Sequence, residues 1–327
     1  MVVTLIAGTT VGIAVGGLMA RGRICFNSGL RDAVFNRRFR IPRIFGLAIA
    51  TQLVALPAVV ALGVPVSRPG LYPVAELAGG LVFGSGMALA GGCITGILWK
   101  TGAGSVATAI AIAGFVAGEL LMRGPWHDLA GWLDSTGPRP ATTTLYAATG
   151  TAYAAAALPL GAVGLALLLG KSRNGMAFGL SLGILGVLAW VAADWADYGY
   201  GLGFVGSAQN VKAAIAAHDA ERLTMEPVLA AGVVIGAALA VRSRLRSPGA
   251  LRATRALAGG VLMGIGGNLA HGCNIGHGLT GVPLLALGSM LAIAAMALGA
   301  TLTRWLIGHR QRLPPAQAAA TGPVDPC

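Results

Sequence analysis

The chain has 327 residues, of which 55% are hydrophobic and only 10% charged, and its mean hydropathy is +0.75. Soluble domains carry about 25% charged residues, so a water-soluble fold is excluded and the composition is that of an all-α polytopic membrane protein. The net charge of +12 does not indicate a nucleic-acid binder, because the basic residues sit in short segments between apolar runs, as in membrane loops.

Nine apolar runs follow one another, at about 3–20, 44–64, 74–92, 104–122, 145–170, 175–193, 226–242, 256–272 and 281–307. Many are close to the roughly 20 residues that cross a bilayer, so about nine transmembrane helices are expected, with short broken or half helices between some of them. The first run leads into the basic stretch Arg21 to Arg43. Placing the N-terminus in the periplasm puts 18 of the 23 Lys and Arg residues in cytoplasmic segments and 5 outside, the bias that orients helical membrane proteins. The C-terminus is then cytoplasmic. The segments 123–144 and 194–225 hold most of the acids and read as interfacial helices or caps. Residues 1–309 form a single transport domain in this reading, and the Pro/Ala-rich tail 310–327 a disordered cytoplasmic extension.

The third and eighth runs are copies of one another. Residues 77–96 (LAGGLVFGSGMALAGGCITG) and 257–276 (LAGGVLMGIGGNLAHGCNIG) align without a gap at an offset of 180, with 11 of 20 positions identical. A repeat of this length marks duplication. Five crossings separate the copies, so they run in opposite directions, the inverted symmetry of many secondary transporters. Each copy ends in Gly-Cys, at Cys93 and Cys273. The two breaks are expected to meet in the middle of the membrane and form a substrate site.

Glycines Gly91, Gly92 and Gly272 permit an irregular backbone at these breaks. In lipid such a break survives only where it lines a cavity, and the start of a half-helix offers N–H donors to an anion. A buried Cys is otherwise a small apolar filler. Cys25 has no clear partner in the repeat. It sits beside Arg21, Arg23, Asn27 and Ser28, which suit a donor-lined mouth for anions or a plain basic loop with a polar turn. Asn268 and Asn274 fit either pore lining or hydrogen bonding between helices. His271 and His277 flank Cys273, but the other copy has Gly91 and Ile97 there and no further thiol or carboxylate lies close in sequence, so no metal is expected. Cys327, in the tail, has no transport role in this reading. There is no P-loop, and no catalytic set and no cofactor are expected. Intramembrane carboxylates are scarce, Glu119 being the main one, which disfavours a cationic substrate.

The segments R-G-R-I-C-F-N-S-G-L-R-D (21–32), G-S-G-M-A-L-A-G-G-C-I-T-G (84–96) and G-I-G-G-N-L-A-H-G-C-N-I-G-H-G (264–278) resemble the YeeE/YedE family of sulfur-transport membrane proteins. The resemblance spans the whole pattern of apolar runs. It implies one helical domain with inverted pseudo-symmetry, residence in the bacterial inner membrane and uptake of thiosulfate. The family's three functional cysteines fall on Cys25, Cys93 and Cys273, and some members act with a cytosolic sulfur carrier of the TusA type. On this reading the thiols pass the ion from Cys273 on the outer side to Cys93 and then Cys25, with Gly91, Gly92, Gly272, His271, Asn268, Asn274, Arg23 and Asn27 in support. The alternatives are transport of another sulfur or selenium species, a membrane sulfurtransferase forming a Cys persulfide, and a structural subunit.

Overall fold

The computed structural model describes residues 1–67, 69–124, 126–138, 140–169, 173–242 and 245–311. The chain is an all-α polytopic membrane protein. Its helices, in chain order, are α1 (Val2–Gly22), α2 (Phe26–Asn36), α3 (Arg40–Ala61), α4 (Pro73–Ala90), α5 (Ile94–Gly102), α6 (Val106–Arg123), α7 (His127–Ser135) and α8 (Leu145–Ala148), then α9 (Tyr153–Leu168), α10 (Arg173–Trp195), α11 (Ser207–Ala216), α12 (Met225–Ala240), α13 (Ala250–Leu269) and α14 (Leu287–Gln311).

Each of the nine apolar runs falls on one of the longer helices: α1, α3, α4, α6, α9, α10, α12, α13 and α14. Five stretches among the described residues are long and apolar enough to cross a bilayer: Val2–Asn36, Arg40–Ala61, Pro73–Gly102, Gly175–Trp195 and Leu287–Gly308. A sixth pairs Val106–Met122 with His127–Ser135 across a bend of 70°. Two shorter apolar helices, α9 and α12, have 16 residues each. The run expected to begin at residue 145 begins later, because Thr149 to Ala152 interrupt it between α8 and α9. The loops 123–144 and 194–225 contain α7 and α11, in line with the short helices expected there. The tail from residue 312 lies outside the described residues.

The two repeat helices pack directly against each other and run antiparallel. Gly79 lies against Gly266 and Ala270, and Gly259 lies against Gly86 and Ala90. Adding 180 turns Gly79 into Gly259 and Gly86 into Gly266, so these are one contact seen twice across a pseudo-two-fold axis. A Cβ at Gly79 would sit 2.4 Å from the Ala270 nitrogen, and one at Gly259 2.3 Å from the Ala90 nitrogen. Only glycine allows backbones this close, the small-residue packing typical of membrane helices.

The symmetry extends outward. Gly80 and Gly84 of α4 seat α14 at Ala292, Met296 and Ala300, while Gly260 and Gly264 of α13 seat α6 at Ala111, Phe115 and Glu119. Likewise Gly12 and Gly16 of α1 lie on Gly232 and Val233 of α12, and Gly179 and Gly183 of α10 on Leu47 and Thr51 of α3. Helix α9 stands outside the duplication and covers α3, with Gly161 against Leu53 and Val54.

Candidate functional site

Both repeat helices end as the sequence suggests. The backbone turns left-handed at Gly91 (φ 74) and at the equivalent His271 (φ 56). Glycine adopts this conformation freely. For histidine it is uncommon, and here the ring is held from two sides: Nε2 lies 2.8 Å from Asp134 Oδ1, and the ring centroid lies 4.9 Å from that of Tyr72, the planes tilted by 43°. The chain then restarts as a helix. Cys93 caps α5, its Sγ accepting the Gly96 N–H at 3.4 Å, and Cys273 Sγ accepts the Gly276 N–H at 3.3 Å. Each sulfur therefore occupies the position where a helix start receives an anion. After Cys273 the backbone widens into a π-helical turn over Gly276–Gly281, an irregularity associated with functional sites.

The expectation that the two breaks meet requires correction. In the antiparallel pair, position 79 faces 270 and position 90 faces 259, so the breaks leave from opposite ends of an overlap of 11 residue steps (90 − 79), about 16 Å of helix. The sulfur that meets Cys93 is that of Cys25, at 3.8 Å. Cys25 caps the start of α2 with extended backbone, and all three thiols are buried in one core cluster.

Two contacts create this Cys pair. Trp99 of α5 donates its Nε1–H to the Ile24 carbonyl at 2.9 Å, which fixes the 23–25 turn against α5. Gly96 supplies room: a Cβ there would lie 2.5 Å from Cys25 Sγ and 3.2 Å from Cys93 Sγ. Helix α2 is held from behind, since Asn27 donates to Met87 O at 2.8 Å and accepts from Arg304 through both its backbone and side-chain oxygens, at 3.1 and 2.6 Å. Asn27 thus anchors a helix. Arg23 is the left-handed C-cap of α1 and is exposed.

The other half repeats the scaffold without the second thiol. Thr280 donates to the Leu202 carbonyl at 2.8 Å, matching Trp99 on Ile24 with offsets of 181 (280 − 99) and 178 (202 − 24). In that register Gly203 stands where Cys25 stands. A cavity of about 210 Å³ opens there, lined by Cys273, Gly203, Tyr198, Tyr200, Glu226 and His271, with Gly272 also in its wall. Tyr200 donates to Gly276 O at 3.1 Å. Glu226 accepts from Asn210 at 2.7 Å and Thr224 at 2.6 Å. Sequence reasoning missed Tyr198, Tyr200 and Glu226; the Y-G-Y-G run at 198–201 and an acid opening an apolar run were the available signals.

The remaining candidates divide. Asn268 joins helices, donating to Gly264 O and accepting from Gln209 at 2.6 Å. Asn274 is buried, and its amide finds no side-chain hydrogen-bond partner among the described residues. Gly91 O accepts from Lys100 Nζ at 2.8 Å, and Gly92 is buried beside Ile97. His277 bridges Ala270 O and Ser289. Glu119 is committed to backbone donors, Gly206 N at 2.5 Å and Ala208 N at 2.8 Å. Among the described residues no three His, Cys, Asp or Glu side chains converge as metal ligands.

Known proteins align with this chain over nearly its full length. The family model for sulphur transport matches residues 21–177 and 168–302. The thiosulfate transporter TsuA of Spirochaeta thermophila is 30% identical over 93% of this chain and 99% of its own length. The thiosulfate transporter TsuA of Escherichia coli is 26% identical over 93% of this chain and 94% of its own. The probable transporter YedE of Escherichia coli matches a shorter stretch, 33% identical over 36% of this chain.

Proposed function

This chain belongs to the sulphur-transport family of membrane proteins, and from that membership we propose that it takes up thiosulfate through a passage lined by Cys273, Cys93 and Cys25. The relatives named as thiosulfate transporters support the substrate. The observation that carries the route is the arrangement of sulfurs. One thiol opens on a cavity at one end of the α4–α13 pair, and two thiols at 3.8 Å stand at the other end.

Thiosulfate is a dianion with a soft sulfur end. Moved bare into hydrocarbon it would lose hydration worth tens of kcal/mol, so fixed donors must replace water. A protonated thiol is a polarisable, uncharged S–H donor suited to the sulfur end. The Gly96 and Gly276 N–H groups, now taken by the cysteine sulfurs, would serve the oxygens. Each contact is weak, and an ion held weakly at successive sites can leave as readily as it enters. In this proposal the protein lies in the bacterial inner membrane with its N-terminus periplasmic and its C-terminus cytoplasmic. The ion enters at Cys273 and leaves past Cys25, toward an acceptor such as a TusA-like carrier.

The test is uptake by purified protein in liposomes, with thiosulfate set against sulfate, sulfite and sulfide. Saturable thiosulfate uptake that unlabelled sulfate does not suppress supports the assignment. Preference for another of these species would reassign the substrate.

A further inference from the structure

The proposed route leaves one group unused. Glu226 opens α12 and faces the Cys273 cavity, the site at which the previous section places an incoming dianion. It is firmly held there. Asn210 of α11 and Thr224 both donate to Oε2, and Tyr198 lines the same cavity. A carboxylate in a cavity of about 210 Å³ cannot remain ionised beside a dianion without strong repulsion, since little water separates them. A cation must enter with the substrate or the site would reject it. The donors around Oε2 are neutral, and among the described residues no set of side chains converges to hold a metal. A proton on the carboxylate is the simplest cation the site can accept.

We propose that the cavity binds thiosulfate together with one proton, held by Glu226, so that substrate entry is coupled to proton entry. The proton comes from external water and joins a carboxylate oxygen; no covalent bond of the substrate changes. The proposal rests on the thiosulfate reading. It accounts for a carboxylate at an anion site, and it supplies a driving force because an inward proton gradient would load the cavity.

The other ionisable groups around Glu226 are few. The 198–204 loop presents Tyr198 and Tyr200, and the α13 break presents His271 and Cys273. Glu119 of α6 lies nearby but holds two backbone N–H groups, and Lys212 of α11 is exposed and lines a separate, apolar pocket. Helix α1, packed along α12, carries the Met1 amino group and no ionisable side chain before Arg21. Lys100 of α5 is engaged at Gly91. His271 also lines the cavity and can carry a proton, so it needs its own control.

The experiment adds thiosulfate to purified protein in weak buffer at about pH 8 and follows proton uptake with an indicator dye, alongside binding affinity. Wild type is expected to take up close to one proton per thiosulfate bound. Its apparent affinity should rise as pH falls, by at most about tenfold per pH unit, the limit for one linked proton. Glu226→Gln should bind thiosulfate with no proton uptake and no such slope; proton uptake lost in His271→Gln but retained in Glu226→Gln would put the proton on the histidine and overturn the assignment. An infrared difference spectrum of wild type, which needs no variant, should gain a protonated-carboxyl band on thiosulfate addition. Binding without proton uptake, or unchanged uptake in Glu226→Gln, overturns the coupling and leaves the transport reading standing. No thiosulfate binding by wild type at any pH would bring down both.

Discussion

Cys25 Sγ and Cys93 Sγ stand 3.8 Å apart in the core, and Gly96 is the residue whose missing side chain leaves room for them. A methyl group there would sit 2.5 Å from Cys25 Sγ, closer than any real carbon–sulfur contact. Gly96→Ala must therefore displace the thiol or shift α5. Overpacking of this kind costs about 1–3 kcal/mol, so the variant should fold with a lowered Tm. Thiosulfate uptake should fall by about tenfold or more, because small misplacements at a site have large effects. Uptake at the wild-type level would mean that the spacing of the pair is immaterial.

Arg304 of α14 controls the same pair from a distance. Its guanidinium holds Asn27 through two oxygens, and Asn27 in turn holds Met87 O of α4. Arg304→Met keeps much of the side-chain volume and removes both bonds. Helix α2 should loosen, and Cys25 should react faster with a membrane-permeant maleimide than it does in wild type. Arg304→Lys restores the charge without the two-pronged geometry and should give an intermediate labelling rate. Equal rates in all three would separate α2 from this anchor.

Glu119 performs the corresponding task for α11. Its carboxylate takes the N–H groups of Gly206 and Ala208 at the start of that helix. Stranding a buried donor costs about 1–3 kcal/mol. Glu119→Ala, which strands two, should lower Tm markedly more than Glu119→Gln, which keeps one acceptor. Both should weaken thiosulfate binding at the Cys273 cavity, since the 198–205 loop that leads into α11 forms part of its wall. Equal melting temperatures for the two variants would contradict the capping role.

Asn274 offers the opposite signature. Its amide is buried without a hydrogen-bond partner among the described residues, and such a group is a burden to stability unless something transient uses it. Replacing an unpaired polar group by an apolar one of similar shape is nearly neutral or stabilising. Asn274→Leu should keep or raise Tm while lowering thiosulfate uptake several-fold. A variant that transports normally would assign Asn274 no part in the passage.

Much of this architecture was written in residue spacing. Apolar runs located α1, α3, α4, α6, α9, α10, α12, α13 and α14, and an odd number of crossings between the copies implied the antiparallel pairing now seen between Gly79 and Gly266. The Gly-Cys endings marked the breaks. The neighbours of the thiols were not legible. Cys25 lies 68 residues before Cys93, and a pairing across that distance depends on how α2 folds back under Asn27 and Arg304. The offset between halves slips from 180 in the motif to 178 and 181 around it, which hid the correspondence of Gly203 with Cys25. Glu226 escaped because an acid in the first turn of a helix is ordinary on dipole grounds. Only its position in the cavity wall sets it apart.

The claim that three thiols form the passage is tested most directly by labelled thiosulfate uptake in cells expressing Cys25→Ala, Cys93→Ala or Cys273→Ala at matched membrane levels. The account predicts that each substitution lowers uptake by about tenfold or more, as expected where a donor is removed from a path that has few. Wild-type uptake in all three would contradict it.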